Sequence, residues 1–292
     1  MRLPYRLFII PLLLCTIELN AGTQIPDYII FKGDTIITYN LLLEQYFRVQ
    51  GKEDKGSLFG LSFREGASSI CWRGYQAIYQ ATSDSLFLTA ITRCGERWEG
   101  AIDKSASDAR MREIFKEKVV NDRVFIDWFS GDISFPLTDK VMRWDGVFYK
   151  IFEREKVIGV SAGKITKMKS VDNYVDAPRR IDRRYKTRIA PLLFEKIRKA
   201  QWVNRDSCDC SETYLVTING KGKVSAARMD YTPEEIAEFF VRKDYEYCIS
   251  NLLRSLRKMR FDIIRAKGKP KTEVIKIVIL FNSDGEIEDW TR

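Results

Sequence analysis

"LRKMRFDIIRAKGKPKTEVIKIVILF" runs from Leu256 to Phe281, and its reading decides the architecture of the second half of the chain. It holds eight basic residues, a Gly268-Lys269-Pro270 turn and then a dense apolar run. Two structures fit that composition: a basic hairpin that grips phosphates, or the helix end, loop and strand of a small α+β domain. The apolar run decides between them. Beyond Lys276 the segment carries no further cation, so "TEVIKIVILF" reads as a strand, either buried on both faces or pairing at a sheet edge. Upstream, Leu256, Met259 and Phe261 take the inward positions of a helix end, Arg257, Lys258 and Arg260 stay in water, and "AKGKPK" forms the turn.

The same unit occurs twice. "LLFEKIRKAQW" is followed by a polar gap and "ETYLVTINGKGKVSAARM"; "ISNLLRSLRKMRF" is followed by a gap and "TEVIKIVILFNSDGEIEDW". Each is a helix closed by an aromatic, a loop, and a strand ended by Asn-Gly or Asp-Gly, the residues that tight turns need. Two such units predict a small antiparallel sheet with its helices on one face.

Residues 193–282 resemble the C-terminal domain of TonB-type periplasmic proteins. "TYLVTINGKGKVSAARM" matches its strand–turn–strand, "YEYCISNLLRSLRKMRF" its long helix, and "DIIRAKGKPKTEVIKIVILF" its post-helix loop and final strand. The resemblance implies a non-enzymatic module that binds an extended peptide of an outer-membrane protein by strand addition, main-chain pairing giving affinity and side-chain pockets specificity. The strand it points to is Val274, Ile275, Lys276, Ile277, Val278 and Ile279. The chain has only eight prolines, and so no long Pro-rich spacer like that of the family's energy transducers. Arg260-Phe261-Asp262 also replaces their aromatic-x-Pro element.

Composition narrows the chemistry. The 292 residues, 45% hydrophobic and 30% charged, are enough for two domains with separate cores. There is no histidine, which removes Ser-His-Asp and Cys-His catalysis, HExxH zinc sites and imidazole proton transfer. The net charge of +9 is localised: residues 178–292 hold 25 Lys/Arg against 17 Asp/Glu. Nucleic acid is not the expected partner, because these cations are scattered among acids without a binding signature. No cofactor and no metal are expected.

"MRLPYRLFIIPLLLCTIELNAGTQ" has two arginines, a short apolar stretch and a small-residue exit near Ala21, the pattern of a secretory signal over residues 1–21. Export to the periplasm is expected, with lipid anchoring at Cys15 or secretion as alternatives. Five cysteines then remain in an oxidising compartment: Cys71, Cys94, Cys208, Cys210 and Cys248. If the hairpin "SSICWRGYQAIYQATSDSLFLTAITRC" turns between Thr82 and Ser83, Cys71 faces Cys94 across the strands, at bridging distance. Cys248 could bridge Cys208 or Cys210, or the three could offer thiolates to a soft metal.

Residues 22–175 read as a mostly antiparallel β domain with two short helices, and 191–292 as the α+β domain. Expected elements of the first are a hairpin over Lys32-Gly33-Asp34, a helix in "YNLLLEQYF", a helix capped at Ser107, strands around Ser130-Gly131-Asp132 and a hairpin over Glu153-Arg154-Glu155. Most of its aromatics should be core, with Trp98 and Trp144 exposed. The arginine-dense segment 176–190 reads as a linker or surface strap that could touch an anionic membrane face. The leading expectation is an exported, non-catalytic envelope protein that engages another protein. A carboxylate-based envelope hydrolase using Asp127 or Glu153, and an inhibitor or immunity-type protein, are the rival readings.

Overall fold

A computed structural model describes residues 24–51, 57–58, 61–62, 68–200, 202 and 209–291. The signal segment, Cys15 and Cys208 lie outside them, as does the side chain of Trp98. The fold is α+β, with several mainly antiparallel sheets.

In the first half β1 (Asp27–Phe31) and β2 (Asp34–Thr38) form the expected hairpin, with Lys32 and Gly33 both at positive φ. Helix α1 (Leu42–Val49) follows. Strands β3 (Tyr75–Ala81) and β4 (Leu86–Arg93) come next, then helix α2 (Lys104–Phe115) and the short β5 (Val119–Val120) and β6 (Arg123–Phe125). The sheet order is β2-β1-β3-β4-β6-β5, and β1 runs parallel to β3, the one departure from antiparallel pairing in this sheet. A second sheet has the order β11 (Lys164–Asp172), β10 (Arg154–Ser161), β7 (Gly131–Pro136). Between β7 and β10 in sequence, β8 (Val141–Trp144) pairs with β9 (Lys150–Phe152). One apolar core draws on both sheets and both helices, with Phe47, Tyr79, Leu88, Met111, Val124, Ile133 and Ile158 at its centre.

Several local expectations are corrected. Asp103, not Ser107, caps α2 by accepting from the Ala106 N–H at 3.0 Å; Ser107 is buried in the helix, accepting from the Ile91 N–H. The segments flanking Ser130-Gly131-Asp132 enter different sheets. The hairpin placed over Glu153-Arg154-Glu155 turns instead at Ala162-Gly163, both at positive φ. Glycine is required there, since a Cβ on Gly163 would sit 2.6 Å from the Ile126 carbonyl oxygen. Trp144 is exposed as expected, but so is Trp72.

The second half is built on β13 (Thr213–Ile218), β14 (Val224–Met229), β17 (Glu273–Phe281) and β18 (Ile287–Asp289), in the order β14-β13-β17-β18. Helices α3 (Ile189–Arg198) and α5 (Arg242–Leu256) contribute Leu193, Ile197, Leu252 and Leu256 to the core beneath this sheet. Tyr214, Val216 and Ile218 of β13 and Ile275, Ile277 and Ile279 of β17 meet them. The strand "TEVIKIVILF" is therefore buried on one face only, alternating with exposed Val274 and Lys276, and the reading of burial on both faces is corrected. Helix α5 ends at Leu256; Met259 and Phe261 are buried beyond it, through a turn and an isolated bridge from Phe261 to Ile181. A third helix, α4 (Pro233–Phe239), was not expected from the apolar pattern because none of its residues is buried. Its Thr232/Glu235 capping box and Pro233 at the first position are a start signal independent of burial.

Segment 176–190 is no solvated connector. Before it, β12 (Tyr174–Val175) pairs with β15 (Ile263–Ala266), whose hairpin partner is β16 (Lys269–Pro270). Within it, the Ile181 N–H donates to the Arg260 carbonyl at 2.8 Å, and Arg183 is fully buried. The strap is built into the junction between the two cores.

Candidate functional site

Strand β17 is paired over Glu273–Val278 on one side and over only its last three residues on the other. Against β13 the register runs from Glu273–Ile218 to Val278–Thr213. Against β18 it covers only Ile279–Phe281. The Ile279 N–H donates to the Glu212 carbonyl at 3.0 Å, so Ile279, Ile277, Ile275 and Glu273 point their main-chain groups toward β13. Val278, Lys276 and Val274 point theirs the other way. Val278 is satisfied there, its carbonyl accepting from the Trp290 N–H at 3.0 Å and its N–H donating to Thr291 Oγ1 at 2.9 Å. At Val274 and Lys276 no described residue takes up the N–H and C=O on that side. The expectation of an edge strand over Val274–Ile279 is thus narrowed: Ile275, Ile277 and Ile279 are ladder and core, Val278 is closed off, and the open edge is Val274–Lys276.

That edge borders a groove of about 560 Å³, lined by Lys186, Thr187, Ala190, Ile275, Val278 and Thr291 among others. One wall is the start of α3; the other is the strand itself. The Lys276 ammonium lies 3.2 Å from Asp230, so its stem crosses the outer face of the sheet instead of standing over the open edge. Strand β11 is likewise exposed along most of its length, and two of its lysines are also ion-paired, Lys164 with Asp84 at 3.4 Å and Lys167 with Asp132 at 3.3 Å.

The start of β17 is fixed by a buried ionic clamp. Glu273 accepts from Arg143 Nη2 at 2.9 Å and from Arg183 Nη2 at 2.6 Å. Arg143 Nε also reaches Glu273, and its remaining N–H groups go to the carbonyls of Met142, Arg183 and Arg184, so all five of its donors are used. Burial pushes the Glu273 carboxyl up, but the two guanidiniums outweigh it and hold it below its ordinary value. Since Arg143 sits on β8 and Arg183 in the strap, the clamp ties the first half to the residue next to the open edge.

The turn of "AKGKPK" forms a second tie. Lys267 and Gly268, both at positive φ, close the β15–β16 hairpin. Its tip enters the first half: Lys267 Nζ donates to the Asp132 carbonyl and to Asn40 Oδ1, and the Gly268 N–H to Asn173 Oδ1 at 2.9 Å. Asn173 also donates to Glu155 at 2.8 Å. Burial raises Glu155 and lowers Lys267 from their usual values. The cleft they line is only about 40 Å³, room for a water and not for a substrate.

The carboxylates singled out for hydrolysis are not brought together. Asp127 pairs with Lys118 at 3.0 Å; Glu153 pairs with Lys140 at 3.2 Å and lies 3.8 Å from Arg184. The buried acids of the first half are Asp27, Glu96 and Glu155, and Glu44 is half-buried. Asp27 is paired with Arg73 at 2.8 Å, and Glu44 accepts from the Tyr75 hydroxyl, with burial raising its carboxyl. Their signal in the sequence was only an acid within an apolar run.

Two disulfides are formed, Cys71–Cys94 and Cys210–Cys248. Cys210 and Cys248 therefore offer no thiolates to a metal. The first bridge does not join directly opposed strand residues. Strands β3 and β4 pair Gln76 with Thr92 and, after a bulge, Ala81 with Leu86, so the turn centres between Ser83 and Asp84. Cys71 precedes β3 and Cys94 follows β4, with Cα atoms 6.2 Å apart. Among the described residues no helix is long and apolar enough to cross a membrane, and no three Cys, Asp or Glu converge as a metal set. Comparison with family models, curated proteins and solved structures returned no match to this chain.

Proposed function

We infer that this protein is an exported, non-catalytic interaction module of the periplasm that accepts an extended segment of another envelope protein along Val274–Lys276. The observation that carries this reading is the pair of outward-facing main-chain units at Val274 and Lys276, beside a groove. An incoming strand would continue the row that β18 leaves at Val278. It would gain up to four main-chain hydrogen bonds, each worth about 0.5–1.5 kcal/mol net. The groove would take its alternate side chains. The two disulfides fit an oxidising compartment.

The test is site-specific photocrosslinking in the native envelope, with the photoreactive side chain at Val274 and, as control, at Lys221 in the exposed turn after β13. A discrete product from Val274 that disappears in Lys276→Pro is expected. The proline removes an N–H that faces the open edge and leaves the β13 ladder intact. Equal products from both positions, or a Val274 product indifferent to Lys276→Pro, would refute strand addition.

A further inference from the structure

A second groove, of about 420 Å³, lies on the exposed side of α3, away from the open edge. Five cations line it: Arg179, Lys196, Lys199, Lys258 and Arg260. The single acid among the lining residues, Glu195, is already held by Arg198 at 2.9 Å and lies 3.7 Å from Lys199. No described carboxylate forms an ion pair with Arg179, Lys196, Lys258 or Arg260. The two helix ends nearby, those of α3 and α5, contribute about half a negative charge each, which leaves most of this positive charge uncompensated. The cations come from three separate elements that the fold pins together. The Ile181 N–H is bonded to the Arg260 carbonyl, and Arg179 stands on a left-handed turn at φ 67, a conformation a non-glycine residue holds only under constraint. Between the cations the groove is apolar, with Ile181, Met259 and Leu192, the last 39% exposed.

Cations ringing an exposed leucine match a ligand that is anionic at its head and apolar behind it. We propose that this groove seats the headgroups of an anionic phospholipid and docks the protein on an anionic bilayer face. An acidic peptide is the weaker match. The elements around this groove offer no open sheet edge to hold an extended chain, and lysine and arginine stems on a helix face bind by charge density more than by shape. Each surface cation contributes about a fivefold gain in partitioning to an anionic membrane, falling off within a Debye length.

The experiment is vesicle cosedimentation of the full mature chain, comparing phosphatidylcholine with phosphatidylcholine containing about 30% phosphatidylglycerol. Binding only to the anionic vesicles is expected, weakening steeply between about 0.05 and 0.3 M salt. The double variant Lys196→Ala/Lys258→Ala should lose roughly 30-fold in partitioning. Lys118→Ala/Lys140→Ala, which removes the same charge from the first half, should bind like the parent. Since all four lysines are exposed, unchanged thermal melts will show that folding is intact. Equal losses in the two double variants would overturn the groove as the seat. Vesicle-independent binding of glycerol phosphate or of a polyglutamate peptide, without binding to anionic vesicles, would overturn the membrane assignment.

Discussion

Replacing Glu273 with Gln should expose how the two halves of the chain depend on one another. In the parent, Arg143 and Arg183, both almost fully shielded from water, share one buried carboxylate as their counter-charge. Glutamine keeps one acceptor but turns an amide N–H₂ toward guanidinium donors, leaving two buried cations without a counter-charge. Removing one partner of such a group costs about 3–5 kcal/mol. For a chain of this size that corresponds to a fall in Tm of roughly 10 °C at neutral pH. The pH dependence fixes the sign. Glu273 titrates lower in the folded chain than in the unfolded one, where its ordinary value is about 4.5. Its contribution is therefore complete above that value and is lost as pH falls through the folded pKa. The stability gap between parent and Glu273→Gln should thus be constant from pH 6 to 8, about 3–5 kcal/mol, and narrow progressively as pH falls below about 4. The triple variant Arg143→Met/Arg183→Met/Glu273→Leu, which removes the buried charges altogether, should recover most of the loss. Denaturant titration monitored separately at first-half and second-half tryptophans is the assay. The two transitions should coincide in the parent and separate in Glu273→Gln. A loss under 1 kcal/mol, or a gap that persists unchanged below pH 4, would refute the reasoning.

Three further outcomes are expected. Replacing Cys210 and Cys248 by Ser should cost about 4 kcal/mol and replacing Cys71 and Cys94 about 3 kcal/mol, because the closed loops span 38 and 23 residues; chemical denaturation of each pair variant measures this. Lys267→Met should destabilise by about 1–3 kcal/mol, since the Asp132 carbonyl and Asn40 would lose a buried donor, and native-state exchange should show the loss at the β6–β7 region and at the hairpin tip together. Gly163→Ala should destabilise by more than 1 kcal/mol through its left-handed backbone and the Ile126 carbonyl, as read from thermal melts.

Much of the second half was legible because its signals are local. Alternation in "TYLVTI" and "EVIKIVILF", the Asn-Gly and Asp-Gly turns and the leucine spacing of α5 each depend on a few adjacent residues. The resemblance rested on their order. What stayed hidden depended on distant partners. Arg183 looks like any other arginine in a polar strap, and only the arrival of Glu273 and the Asp262 carbonyl from far along the chain makes it the most buried large side chain of the junction. Lys267 sits in a turn that propensity alone would leave in water; the carbonyl of Asp132 and the amide of Asn40 draw it inward. Segments such as Lys150–Phe152 and Arg154–Ser161 read as one hairpin because their shared hydrophobicity does not say that they belong to different sheets. The candidate edge was visible as a strand. Which side of it lies open was not, since that depends on where β18 stops pairing.

The most direct test is residue-resolved amide hydrogen exchange on the free mature protein. The N–H groups of Ile275 and Ile277 donate inward to β13, while those of Val274 and Lys276 face the groove. Val274 and Lys276 should therefore exchange on the order of 1,000-fold faster than Ile275 and Ile277, which open only with the sheet. Protection of all four to the same degree would mean that the edge is already covered, and strand addition at Val274–Lys276 would be ruled out.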